Sequence, residues 1–495
     1  MLNTTRLICS ITQFSAPAVR QNTQSMIEAT SAPSTASGLQ HGLKERHMTM
    51  IALGGVIGAG LFVGSGVVIR AAGPAAVISF AITGLIVVLV MRMLGEMAVA
   101  LPTVGSFYEY SRQAWGHRPV LGQLAGFLTG WMYWYFWVIV VALEAVAGAG
   151  LVRFWLPNLP TWLVSLGLLL ALTSTNLISA RVFGEFEFWL ASIKIAAITV
   201  FLLLATLFVL GLWPGAAFSI ANLTGQGGFA PNGVLPVLTG AVAATGFYFG
   251  AEIVTIAAAE TAEPARAVAK ATHSVITRVL VFYIGSIFLV VCLVPWAAAG
   301  MATPYVTALG AMGIPAAAQI MNAVILTAVL SALNSGLYAS SRMLFALTRR
   351  GDAPRGLASL SRNGVPMRAI LLGTVFGYGA VVMSYVSPDT VFAFLVNSYG
   401  TVALFVYVLI ACAQLRLRAR LEKEDPARLK VRMWAYPYLT WLAIAGMLAI
   451  LVAMAFIPEQ RTPLEFGVIS LGILLLAFAA RLRFGPAPAL SSSHE

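Results

Sequence analysis

Two stretches of this chain put polar backbone where an apolar run would otherwise continue. The first is GGVIGAGLFVGSG, Gly54 to Gly66, with six glycines in thirteen residues. Glycine inside a helix costs about 1 kcal/mol relative to alanine in water, so such a cluster invites a break. An unwound segment within lipid leaves amides unpaired at several kcal/mol each, and it persists only where a cavity or a ligand satisfies them. Ile57, Gly58, Ala59, Gly60 and Leu61 would then aim N–H donors at a carboxylate, reinforced by the positive end of the half-helix that follows. Close helix packing is the other use of these glycines, since Gly54 with Gly58 and Gly60 with Gly64 are GxxxG pairs. The second stretch is TGFYFGAE, Thr245 to Glu252. A break there would turn the carbonyls of Phe247, Tyr248, Phe249, Gly250 and Ala251 towards an ammonium group. The two stretches together would hold a zwitterion. The rings of Phe247, Tyr248 and Phe249 would close the cavity on one side, unless they serve ordinary packing.

Charges buried in apolar runs are expensive, at about 2.5 to 3.5 kcal/mol by insertion scales, and are functional candidates for that reason. Glu144, Lys194, Glu252 and Arg342 stand in such positions. Glu144 and Glu252 lie too deep to reach an interface, so each needs a partner or a proton. Lys194 has the alternative of snorkelling to the headgroups, and for Arg342, near the inner end of its run, snorkelling is the expected behaviour. Arg92 and Glu96, four residues apart, are expected to form a helical ion pair. Ser331, Asn334 and Ser335 would line a pathway or bond across helices. All five histidines, at 41, 47, 117, 273 and 494, fall outside the apolar runs, so a proton relay must use carboxylates or Lys194.

The elements that must position these groups follow from composition. Of 495 residues 59% are hydrophobic and 10% charged, which identifies an integral membrane protein. Apolar runs near 20 residues are long enough to cross a core of about 30 Å as helix, and they lack the period-two alternation of a barrel. Twelve spans are expected, at 48–69, 75–98, 121–151, 161–179, 188–212, 234–258, 278–298, 316–346, 369–386, 390–414, 436–457 and 464–482. The fold class is an all-α polytopic membrane protein. The first and sixth spans carry the glycine breaks, which suits a five-plus-five inverted repeat with discontinuous helices 1 and 6 and two additional helices, the layout of many secondary transporters.

The net charge of +12 is unevenly distributed. With the N-terminus inside, the cytoplasmic segments hold Lys44, Arg46, Arg112, Arg118, Arg181, Arg266, Lys270, the group from Arg349 to Arg362 and the run from Arg416 to Arg432. The external connections 214–233 and 298–314 carry no Lys or Arg. That asymmetry sets both termini in the cytoplasm and explains the basic balance without nucleic acid. Residues 1–42, rich in Ser, Thr, Gln and Ala, are expected to be a disordered cytoplasmic segment, with Met26 an alternative start. Residues 43–483 form the transmembrane domain and 484–495 a cytoplasmic tail. No GxxxxGK[ST] motif occurs, which disfavours ATP-driven transport. Cys9, Cys292 and Cys412 have no metal-ligand spacing, so no metal, catalytic residue or cofactor is expected. A membrane enzyme would need His, Asp or Cys grouped at depth.

Several motifs resemble the bacterial amino acid permeases of the amino acid/polyamine/organocation (APC) superfamily. They are GVIGAGLFVGSG, GEMAVALPTVGSFYEYS (95–111), GWMYWYFWVIVVALEA (130–145), FGEFEFWLASIKI (183–195), GAEIVTIAAAE (250–260), NSGLYASSRMLFALTRRGDAP (334–354) and RMWAYPYLTW (432–441), in order over residues 39–482. Within the superfamily, FGEFEFWLASIKI, GAEIVTIAAAE and RRGDAP are most similar to the gamma-aminobutyrate (GABA) permease group. The resemblance implies a multi-pass protein of the bacterial inner membrane that imports a small amino acid by proton symport and alternating access. Gamma-aminobutyrate comes first, with proline, aromatic or other neutral amino acids as alternatives. By the same resemblance Gly58 to Gly60 bind the substrate carboxylate and the carbonyls of Phe247 to Ala251 its amine. Lys194 matches a helix 5 lysine implicated in proton coupling, and Glu144 and Glu252 occupy matching acidic positions. Phe247 stands where many relatives carry a small residue, and Ala332 replaces a cysteine of the GABA group. A passive channel and a non-transporting sensor on the same fold are the readings from other classes. Oligomeric state is not legible in the sequence.

Overall fold

The computed structural model describes residues 43–484, apart from positions 56, 59, 104, 117, 262–265, 267, 271, 273 and 275–278. The expected terminal segments, 1–42 and the tail beyond 484, lie outside the described residues, as does Ala59. The described residues belong to one compact unit. Among the described residues every regular element is helical.

Helix α1 (Glu45–Gly54) unwinds at Gly55 and resumes as a π turn, Gly60–Gly64, that runs into α2 (Ser65–Ala72). Gly73, at φ +66°, and Pro74 turn the chain into α3 (Ala76–Ala100). There follow α4 (Phe107–Gln113), α5 (Pro119–Val152), α6 (Thr161–Ile178) and α7 (Ala180–Val209). The second interrupted helix comprises α8 (Val234–Ala244), a 3-10 turn at Thr245–Phe247, an irregular segment, and α9 (Ile253–Ala257) with a final 3-10 turn Ala258–Glu260. After these come α10 (Ser286–Leu293), α11 (Pro304–Ala311), α12 (Ala317–Arg349), α13 (Met367–Val386), α14 (Pro388–Glu424), α15 (Tyr438–Phe456) and α16 (Pro458–Phe484).

Nine helical stretches among the described residues are long and apolar enough to cross a membrane, one of them the 41-residue stretch Gly60–Ala100. Val234–Phe247 and Leu280–Leu293 are apolar but shorter. Outward faces keep large apolar side chains in the open: Val200 and Leu203 on α7, Val382 on α13 and Leu476 on α16 are all more than half exposed. A girdle of that kind is stable only in hydrocarbon.

Two spans run further than their apolar composition indicates. Helix α7 begins at Ala180, where the Ser179 hydroxyl accepts from the Val182 amide at 3.2 Å and so caps the helix, and not at 188. Glu187 is thereby drawn into the bundle. Helix α14 continues past 414 to Glu424, because the pairs Arg418–Glu422 (2.8 Å) and Arg420–Glu424 (2.7 Å) stabilise its polar extension.

Helices α5 and α12 share the most extensive contact in the molecule. Small residues allow it: a Cβ on Gly336 would lie 2.8 Å from Val141, and one on Gly130 would lie 2.7 Å from Leu347. Around this pair α6, α7, α13 and α14 are packed, and the two interrupted helices lie among them. The expected Arg92–Glu96 pair does not form. Glu96 instead takes Arg418, the Gln414 amide at 2.7 Å and the Met433 backbone N–H, tying α3 to α14 and the loop before α15. Arg92 donates to the Arg432 carbonyl at 2.9 Å and lies over Trp434. A buried carboxylate gains more from three donors than from one neighbour on its own helix.

Candidate functional site

The two helix breaks meet. A Cβ added to Gly55 would lie 2.8 Å from the Gly250 carbonyl oxygen, so the unwound segments pass backbone to backbone. Gly250 has φ +115°, a conformation closed to side-chain-bearing residues, and this is what lets the second break turn. Gly250→Ala is therefore expected to cost roughly 1–3 kcal/mol of stability, read as a lower thermal midpoint in detergent.

The first break has an open flank. Nothing lies within 4 Å of a Cβ built on Gly58, while Ile57 and Leu61 on either side are buried. Among the described residues no hydrogen bond uses the N–H of Ile57 or Gly58, and the Gly58 carbonyl accepts from Leu61 at 3.3 Å. Gly60 and Gly64 have a different neighbour: the Phe247 ring lies across both, 2.5 Å from a Cβ at either position. That GxxxG pair thus packs against a ring, not against a helix.

On the second break, the Phe247 carbonyl accepts from the Tyr283 hydroxyl at 2.8 Å and the Gly250 carbonyl from the Ile253 amide at 3.3 Å. Among the described residues no hydrogen bond ends on the carbonyls of Tyr248, Phe249 or Ala251. Those three can accept from a ligand. The rings divide by role. Tyr248 is fully buried, stacked on Tyr283 and bonded to the Phe80 carbonyl at 2.8 Å, so it belongs to the core. Phe249 packs on Phe136 and Tyr407, and Phe247 lies near Phe80.

Two broken helices that meet backbone to backbone are a layout of secondary transporters, and residues 47–482 match the amino acid permease family. The chain belongs to that family. It is 52% identical to the gamma-aminobutyric acid permease of Bacillus subtilis (strain 168) over 444 residues, 89% of this chain and 93% of that one. It is 46% identical to the gamma-aminobutyric acid permease of Escherichia coli (strain K12), covering 88% and 92%. Against the aromatic amino acid transport protein AroP of Corynebacterium glutamicum the identity is 40%, covering 89% and 94%. This permease is accordingly a multi-pass transporter of the bacterial inner membrane.

Polar clusters hold the buried charges of the permease, among them those of Glu252, Lys194 and Arg342. Glu252, just past the second break, accepts from Tyr407 of α14 at 2.8 Å, Tyr133 of α5 at 3.2 Å and the Gly250 amide at 3.1 Å. It ties the irregular segment to two other helices.

Lys194 belongs to the second cluster. Its ammonium donates to the Ser331 hydroxyl of α12 at 2.8 Å, and Ser331 in turn donates to the Glu187 carboxylate. The other oxygen of Glu187 accepts from Asn334 at 3.2 Å, and Asn334 accepts from Asn176 of α6 at 2.9 Å. Lys194 is buried and does not snorkel, because α12 supplies a polar partner at its own depth. Asn334 is fully buried with its amide committed to this cluster. Glu144 on α5 is half-buried and within electrostatic reach of Lys194. A fifth span starting at 188 leaves Glu187 in a connection, whereas the helix that contains it begins at Ala180. The signal was its spacing from Lys194: seven residues, two helical turns, place both on one face.

The third cluster corrects the expectation for Arg342. Instead of snorkelling, it is buried against Glu260 at 2.8 Å, and its guanidinium lies 4.0 Å from the Tyr338 ring centroid. Tyr338 also donates to Glu260 at 2.9 Å and stacks on Phe183 of α7 at 4.1 Å. Glu260 ends the second interrupted helix, so a carboxylate from another element offered the arginine more than the interface did. Nearby, the loop after α12 is held by Asp352, which accepts from Arg112 at 2.9 Å, from Tyr108 and from Arg481 of α16. Burial, and then the Asp352 carboxylate beside it, push the Tyr108 hydroxyl far above its ordinary value, so it stays a donor. Glu109 and Arg350 pair alongside in a fork at 2.7 and 2.9 Å.

Proposed function

We propose that this permease imports gamma-aminobutyrate with protons, by alternating access about the two helix breaks. The observation that carries the reading is the meeting of the two breaks, where Gly55 lies against the Gly250 carbonyl. Amides on one side and unclaimed carbonyls on the other match the two ends of a zwitterion. Ile57 to Leu61 receive the carboxylate, and Phe247 to Ala251 the amine. Identities of 46–52% to relatives named gamma-aminobutyric acid permease support this choice of substrate. The Phe247 ring across Gly60 and Gly64 leaves less room for an aromatic side chain, which favours a slender substrate over that of the AroP relative.

The architecture proposed is twelve spans. The 41-residue stretch Gly60–Ala100 is about 60 Å if straight, twice the membrane core, and holds two spans joined at Gly73 and Pro74. The two shorter apolar helices complete the set. Helices 1–5 and 6–10 form the inverted repeats, both termini are cytoplasmic, and α15 and α16 are the additional pair. The proton is the coupling ion, carried by Lys194 with Glu144 and Glu252 among the acidic groups.

Proteoliposomes with an alkaline interior are expected to accumulate labelled gamma-aminobutyrate, with proline, phenylalanine and tyrosine as weaker competitors. Uptake driven by sodium and indifferent to the pH gradient would remove the coupling assignment, and downhill flux alone would make the protein a channel. Lys194→Ala is expected to lose gradient-driven accumulation more than exchange. Equal loss of both would give Lys194 a structural role.

A further inference from the structure

The function assigned to Lys194 leaves Glu187 unexplained. It is a fully buried carboxylate on the same helix face, joined to Lys194 through one hydroxyl. A direct ion pair would serve packing as well. The geometry here differs, because Ser331 accepts from the ammonium and donates to the carboxylate, so its hydroxyl completes a donor-to-acceptor chain. Asn334, itself held by Asn176, fixes the second carboxylate oxygen and so keeps the first turned to Ser331.

We propose that Glu187 is the acceptor of the coupling proton, receiving it from Lys194 through Ser331. This rests on the proton-coupled reading above. In the transfer one N–H bond of the Lys194 ammonium breaks and a proton joins the Ser331 oxygen. The original hydroxyl proton of Ser331 leaves for Glu187. The product is a neutral amine and a neutral acid, with no other reactant. Burial favours that outcome: two charges without solvent are costly, and the neutral pair removes both. Glu187 stands seven residues, about 10 Å of helix rise, from Lys194 towards the N-terminal end of α7, while the proton itself crosses only the two hydrogen bonds through Ser331. That end is cytoplasmic in the proposed topology, and there Glu185 pairs with Arg46 and His47 of α1. Glu187 then releases its proton to water on the inner side and Lys194 takes another from the outer side.

Among the described residues, charged and titratable groups meet α7 from several helices, Tyr338 of α12 on Phe183 and Arg46 and His47 of α1 at Glu185 among them. Glu144 approaches Lys194 from α5; α12 adds Ser331 and Asn334, and α6 adds Asn176. Tyr283 and Cys292 stand on the 279–293 segment that packs on α7 further along. Tyr283 donates to the Phe247 carbonyl, and Cys292 is the residue before the last of α10.

The test uses the full chain in proteoliposomes and labelled gamma-aminobutyrate, comparing accumulation under an inside-alkaline gradient with counterflow exchange in its absence. Glu187→Gln is expected to lower accumulation at least about tenfold more than exchange, on the scale of a lost proton-transfer group. Ser331→Ala is expected to do the same, and Ser331→Thr, which keeps the hydroxyl, to restore accumulation. Accumulation by Glu187→Gln equal to that of the unaltered protein overturns the proposal. If Glu187→Gln loses exchange as well, the serine variants decide: accumulation by Ser331→Ala matching Ser331→Thr overturns it. Failure of the unaltered protein to respond to the pH gradient overturns the coupling reading and this proposal with it, a result distinct from failure of the variants alone.

Discussion

Gly58→Leu is expected to abolish concentrative uptake while leaving the fold intact, and Gly55→Ala to do the reverse damage first. At Gly58 an added Cβ meets nothing within 4 Å, and the backbone is not in the left-handed region, so a leucine has both the space and the conformation it needs. The space it takes is the one proposed above for the substrate. Overfilling a cavity costs roughly 1–3 kcal/mol, which lowers affinity by about 5- to 150-fold. At Gly55 the added carbon would lie 2.8 Å from the carbonyl oxygens of both Gly250 and Ile51, and backbone cannot yield as a flexible side chain does. There the penalty falls on packing between the two breaks, roughly 1–3 kcal/mol of stability. Substrate binding by scintillation proximity and thermal unfolding in detergent separate the two. Normal uptake by Gly58→Leu would refute a binding role for the first break.

The largest loss of stability is expected from Arg342→Ala. Removing the guanidinium leaves Glu260 buried beside Tyr338 without its cation, and breaking a buried pair in this way costs about 3–5 kcal/mol. The double variant Arg342→Met with Glu260→Gln removes both charges and is expected to recover most of the loss. Thermal midpoints of the three proteins measure this directly. A single variant as stable as the unaltered permease would mean that Glu260 finds another donor or a proton.

Much of the site was legible before folding because its signals are local. Clustered glycines, a charge in an apolar run and the aromatic triplet 247–249 are all read from neighbours in the chain. Partner choice was not legible. Arg92 and Glu96 obey the i, i+4 rule and still do not pair, because Arg418, Gln414 and Met433 reach Glu96 from more than 300 residues away. Tyr133 and Tyr407 looked like two aromatics among many until the fold turned both hydroxyls on Glu252. Glu187 was hidden by a boundary, since its charge made a helix start look like a loop.

Composition and local pattern alone establish that the chain lives in a membrane, that it is helical, and that it is interrupted near Gly55 and near Gly250. Those properties follow from composition and from the cost of bare amides in hydrocarbon, neither of which depends on distant contacts. Which glycines border open space and which cradle Phe247, and which buried charges share a hydrogen bond, depend on contacts between distant helices. In a low-dielectric bundle a charge takes whichever partner reaches its depth from any helix, and that choice is made by packing, not by spacing.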